Sequence, residues 1–151
     1  GMIYRDNSGI DIKFNKSSLI NYKRIVPGDF VVHLRSFQGG FAYSNVEGIA
    51  SPAYTVFSFI HSEQFNDDFW KEKFTSYNFI QLLKKVTYGV RDGRSISYTD
   101  FLTLNESFPS FNEQRKIGNL LEHLDNLISI QQSKLDNLNK FKKFLLQKMF
   151  I

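Results

Sequence analysis

Two clusters of side chains could do chemistry here, and the chemistry is recognition. Arg35, Ser36 and Gln38 close one predicted strand, and Lys84, Lys85, Tyr88, Arg91, Arg94 and Ser95 follow a predicted helix. Arginine pairs bidentately with guanine, glutamine does so with adenine, and lysine offers a point charge to phosphate. These residue types on loops suit a DNA surface. Ordinary solvated loops are the plain alternative, since such clusters are common.

Signatures of catalysis are missing from the sequence. The three histidines, His33, His61 and His123, have no metal-ligand spacing to one another or to an acid. There is no cysteine, so there is no thiolate site, disulfide framework or Cys nucleophile. No G-x-S-x-G occurs, and "GVRDGR" lacks the residues of a phosphate cradle. Glu-x-Lys and Pro-Pro are absent, which argues against a metal-dependent nuclease core and an adenine methyltransferase motif. A lone Asp11-Ile12-Lys13 does not change this. The expectation is a non-enzyme with no catalytic residue, metal or cofactor.

The elements that would position the basic clusters follow from periodicity. Pro27-Gly28-Asp29 reads as a turn, followed by a strand with Phe30, Val32 and Leu34 on one face and Val31, His33 and Arg35 on the other. Gly39-Gly40 interrupts it, and Phe41 to Ser44 resumes. Ala53 to Ile60 is apolar on both faces and is expected to be the central strand. Asn66 caps a helix opening on Asp67 and Asp68, and "SYNFIQLLKKV" has helical spacing through Phe79, Leu82, Leu83 and Val86. "YGVRDGRSIS" reads as a loop, Ser97 and Asp100 as a capping box, and "NESFPS" as a hinge. The fold class expected is α+β, a small mixed domain with a β-sheet core over residues 2–109, then a long helix over 110–151. Gly1 ahead of Met2 reads as a cloning remnant.

That last helix carries the strongest pattern. Ser110 and Glu113 form a potential capping box. Apolar residues then step by four and three through Ile117, Leu121, Leu124, Ile128, Gln131, Leu135, Leu138, Lys142, Leu145 and Met149. Eight of these ten seam positions are apolar, and the period is the coiled-coil 3.5. Leu120, Leu127, Phe141 and Phe144 widen the stripe. Some 40 residues make a rod of roughly 60 Å, against a radius of gyration near 13 Å for a body of about 100 residues. A stripe that long needs a partner helix. A long core helix in an ordinary domain is the alternative.

Bulk composition agrees with a folded body. Hydrophobic residues are 42% of the 151, and aromatics 16%, with 16 Phe and 7 Tyr. The net charge of +4 is mild. Glu63, Asp67, Asp68 and Glu72 share one acidic window, so the rest of the body is more basic than the total suggests. No membrane span or signal peptide is visible, and the cytoplasm is the expected setting.

"VPGDFVVHLRS", "GIASPAYTVF" and "YGVRDGRSIS", followed by the helix "FPSFNEQRKIGNLLEHLDNLISI…KKFLLQKMF", resemble the specificity subunit of type I restriction-modification systems. The likeness covers roughly residues 20–151 and is most specific in the helix. It implies a target recognition domain that reads half of a split DNA site, and a spacer helix that pairs antiparallel with another. It also implies docking of methyltransferase subunits, which carry S-adenosylmethionine, with restriction subunits as a further partner. Such a subunit has two recognition domains and two helices, whereas this chain has one of each. The customary Trp-containing opening is missing, so a half subunit, a cut piece or the product of a broken reading frame is expected, forming an antiparallel homodimer on double-stranded DNA. The other reading is a coiled-coil assembly module that does not read DNA.

Overall fold

The computed structural model describes residues 7, 9, 16–89 and 95–150. Its architecture is α+β, with short strands and helices in the head and one long C-terminal helix.

A 3-10 turn over Lys16–Asn21 leads into β1 (Lys23–Ile25). The turn before β2 (Phe30–Val32) has proline second and Gly28 third at φ 97°, the type II arrangement. Asp29 closes it, its Oδ2 accepting from Val26 N at 2.8 Å. A single helical turn, α1 (Ser36–Gly39), separates β2 from β3 (Ala42–Tyr43), and β4 (Gly48–Ala50) and β5 (Thr55–Phe57) follow. Next come α2 (Asp67–Thr75), α3 (Tyr77–Lys85), the hairpin of β6 (Thr87–Tyr88) with β7 (Ser95–Ile96), α4 (Tyr98–Phe101) and α5 (Phe111–Met149). Among the described residues all strand pairs are antiparallel: β1 with β4, β6 with β7, and a three-stranded sheet in the order β3-β2-β5.

The core explains why β2 is central. Phe30 and Val32 enter an aromatic cluster with Phe41, Phe69, Trp70, Phe74, Phe79 and Leu83. Val31, on the opposite face, packs with Ile25 and Ala50. Phe30 meets Phe74 edge-on at 5.0 Å and Phe57 in a stack at 5.6 Å, favoured aromatic geometries.

Several expectations need correction, among them the loop read over Tyr88 to Ser97, whose Tyr88 ends β6 and whose Ser95 and Ile96 form β7. The strand stops at Val32, because Ser36 Oγ accepts from His33 N at 2.9 Å and Ser36 N donates to His33 O. These bonds turn the chain into α1 and leave Leu34 exposed. The segment expected as the central strand gives only β5, at the edge of its sheet. It is apolar on both sides because Phe57 and Phe59 join one cluster while Tyr54 and Val56 join the other. Finally, the Ser110 side chain makes no cap; its carbonyl instead accepts from Glu113 N and Gln114 N, both at 2.9 Å. The caps expected at Asn66 and Ser97 are formed, and Ser76 caps α3.

Candidate nucleic-acid and partner interfaces

Most described cations of the head are engaged. Arg24 pairs with Glu47 at 2.8 Å, Lys71 with Asp68, Lys73 with Glu106, and Lys23 donates to the Tyr54 carbonyl. Arg35, Lys84 and Lys85 are exposed and form no ion pair among the described residues. Lys84 Nζ bonds only to the neutral Gln81 Oε1, at 3.2 Å. Helix α1, with Arg35 as its N-cap and exposed Gln38 inside it, packs beside α3, which ends in Lys84 and Lys85. Arg35 and Gln38 of the first cluster and Lys84 and Lys85 of the second therefore lie on neighbouring elements. Tyr88 is exposed on β6, opposite Ser95 in the hairpin register. Arg91 and Arg94 lie outside the described residues.

Ser36 does not belong to this surface. It is fully buried and its hydroxyl terminates β2, so it shapes the Arg35–Gln38 turn rather than facing solvent. His33, half-buried beside the ring of Tyr54, accepts from Arg35 N at 3.2 Å through Nδ1. Burial holds its pKa below the ordinary 6.5, against a smaller raising effect from its bond to the Gly40 carbonyl. No group of three or more potential metal ligands exists among the described residues. An apolar cavity of about 350 Å³ lies among Phe59, Trp70, Phe79 and Phe101, with Glu106 its one acid, and that acid pairs with Lys73.

The second interface is α5, 39 residues and about 58 Å long. Its first turns are bolted to α2 by two residues that sequence reasoning passed over. Gln114 is fully buried. Its Oε1 accepts from Asn66 N and Trp70 Nε1, both at 3.1 Å. Its Nε2 donates to Gln64 O at 3.3 Å and Pro109 O at 3.0 Å. Gly118, one turn on, lets the helices nearly touch: a Cβ there would stand 2.6 Å from Asn66 Oδ1 and 2.9 Å from Phe69 N. The signal for both was a polar residue and a glycine in line with the apolar seam. The segment read as a hinge is held as well, with Phe108 packed on Phe65 and Trp70.

Docking divides the seam. Ile117 packs against the aromatic cluster and so serves the chain's own head, and Leu121 is half-buried. From Leu124 onward the seam is exposed, from 36% at Leu145 to 70% at Met149. Ile128, Gln131, Leu135 and Leu138 belong to this exposed stretch. Among the described residues no helix is long and apolar enough to cross a membrane, so this is not a spanning segment. No model of a known protein family matches the chain, and no curated protein matches it.

Proposed function

We propose that this chain is a half-sized specificity subunit of a type I restriction-modification system. In this reading the head binds double-stranded DNA and α5 assembles the complex. It acts in the cytoplasm and performs no chemistry itself. The observation that carries the reading is the exposed seam from Leu124 to Met149 on a helix fixed to a head whose exposed Arg35, Lys84 and Lys85 form no ion pair among the described residues. Two copies pair antiparallel through that seam. The neighbouring stripe of Leu127, Ile130, Phe141 and Phe144, also exposed, is left for methyltransferase subunits, with restriction subunits beyond them. Arg35, Gln38, Lys84 and Lys85 carry the DNA contacts, joined by Tyr88, Arg91, Arg94 and Ser95. The target bases follow from no simple residue code.

Fluorescence anisotropy against random duplex DNA tests this. The two phosphate-binding lysines of each head, Lys84 and Lys85, give a salt slope near −1.8, so affinity falls about 12-fold between 50 and 200 mM salt. Replacing Lys84 and Lys85 by alanine flattens the slope by about 2. No duplex binding at 50 mM salt, with a dimer still present, favours the second reading: an assembly module acting through α5 alone. The burial of Ser36 lends that reading some weight, because it removes one expected contact.

A further inference from the structure

The split seam fixes how two copies align. Resting on the antiparallel pairing proposed above, we infer that two α5 helices overlap from Leu124 to Met149 in one register. In it Gln131 of each copy faces Lys142 of the other. Two independent features select it. First, Ile117 packs against the head and Leu121 is half-buried, so a second helix finds the seam fully open only from Leu124 onward. Second, the seam holds two polar residues, and an antiparallel pair stacks each position on its counterpart about a twofold axis.

Placing that axis between Asp136 and Asn137 makes Leu124 face Met149, Ile128 face Leu145, and Leu135 face Leu138. The remaining layer holds both polar side chains, and Lys142 donates to the amide oxygen of Gln131. Every layer is then apolar on apolar or polar on polar. Slipping by one heptad in one direction sets Lys142 on Leu124 and Gln131 on Leu135, and drives Met149 against Ile117, which already packs on the head. Slipping the other way sets Gln131 on Met149 and Lys142 on Leu138, and shortens the overlap. Each slip buries two kinds of unmatched polar group, which is how polar seam residues specify register. The favoured register sets the two Gly118 docking points about 55 Å apart along the rods, close to 16 base pairs of duplex at 3.4 Å each.

The chain has no cysteine, so single cysteines for spin labels can be placed at will. Asn126, Ser133, Lys140 and Gln147 lie one heptad apart on the face away from the seam. Between copies, double electron–electron resonance should give matching distances for the Ser133 and Lys140 labels, offset by about 10 Å along the axis. The Asn126 and Gln147 labels should match each other at an offset of about 30 Å. A Ser133 distance differing from the Lys140 distance overturns the register while keeping the antiparallel dimer. Equal distances at all four sites mean parallel pairing and overturn it as well. No interchain distance means a monomer, which sinks the dimer reading along with the register.

A charge exchange provides the second measurement. Gln131→Lys should weaken the dimer roughly tenfold by facing two ammonium groups, and adding Lys142→Glu should restore it. Residues 131 and 142 are about 16 Å apart along one helix, so rescue reports contact between copies. Lack of rescue in a folded, dimeric protein overturns the proposed layer.

Discussion

Replacing Gln114 by leucine should detach the rod from the head, and the cost can be worked from its four hydrogen bonds. Leucine keeps the volume and the helix propensity, so the amide chemistry alone is removed. The change strands Asn66 N–H, the Trp70 indole N–H, and the carbonyls of Gln64 and Pro109. A buried group left unsatisfied costs about 1–3 kcal/mol, which gives an upper range of about 4–12 kcal/mol for four. Gln64 is exposed, and water can reach its carbonyl once the amide is gone. A net loss of about 3–5 kcal/mol is therefore expected. Trp70 is the only tryptophan and donates directly to Gln114, so its emission reports this joint without a label. Urea titration followed by that emission should show the lowered midpoint, with Gln132→Leu on the exposed rod shifting stability by less than about 0.5 kcal/mol. A second variant separates the donor half of the amide from the acceptor half. Gln114→Glu keeps an acceptor for both N–H groups but aims a carboxylate at two carbonyls, which raises its pKa. Its stability should be greatest below the ordinary glutamate value of about 4.3 and fall as pH rises. A loss under about 1 kcal/mol for Gln114→Leu would refute the view of this joint as a satisfied polar lock.

Gly118→Ala should cost about 1–3 kcal/mol, because the new methyl meets the backbone of α2 and the Asn66 cap; thermal melting would show it, and an unchanged midpoint would mean the helices can separate freely. Tyr43 donates to Asp67 Oδ2 at 2.9 Å, and burial first, then that bond, pushes its pKa above 10. The folded state thus holds the phenol proton more tightly, and stability present below pH 10 is lost as pH rises past it. Melting profiles from pH 8 to 11.5 should show a shallower alkaline decline in Tyr43→Phe. His33 has the opposite sign: its lowered pKa gives full stability above 6.5, lost as pH falls below that. Its imidazole titration by NMR should have a midpoint under 6.5, and a midpoint above it would contradict the burial described here.

Elements with local rules were the ones legible in the sequence. The caps at Asn66 and Ser97, the turn at Gly28 and the existence of α2, α3 and α5 all depend on neighbours a few residues away. The misread elements depend on distant partners. Ala53 to Ile60 has the composition of a central strand, but centrality is a matter of sheet order, and Phe57 and Phe59 owe their burial to helices α2 and α4 as much as to strands. Ser36 reads as a surface hydroxyl until its bond to His33 N is seen. Gln114 looked like one more polar residue in the first turn of a long helix; its four partners lie up to 50 residues away. The seam itself was readable, but its division was not, since periodicity does not say which layers the chain keeps for itself.

That division links the two proposed roles. Gln114, Ile117, Gly118 and Leu121 continue the same stripe that runs on from Leu124 to Met149, so the head is the first occupant of the seam and a second helix is the next. A head bound by the four hydrogen bonds of buried Gln114 and by a glycine contact turns with the rod rather than about it. The rotational phase of Arg35, Lys84 and Lys85 is then set by the phase of the seam. Adding seven residues in the exposed stretch lengthens the rod by about 10 Å and turns the heads by only about 20° relative to one another. Adding five turns them by about 140° while lengthening the rod less. If the heads read DNA as a rigid pair, the five-residue insertion should reduce duplex affinity more than the longer one. Equal loss from both would mean that the heads swivel, and the lock at Gln114 would not transmit orientation.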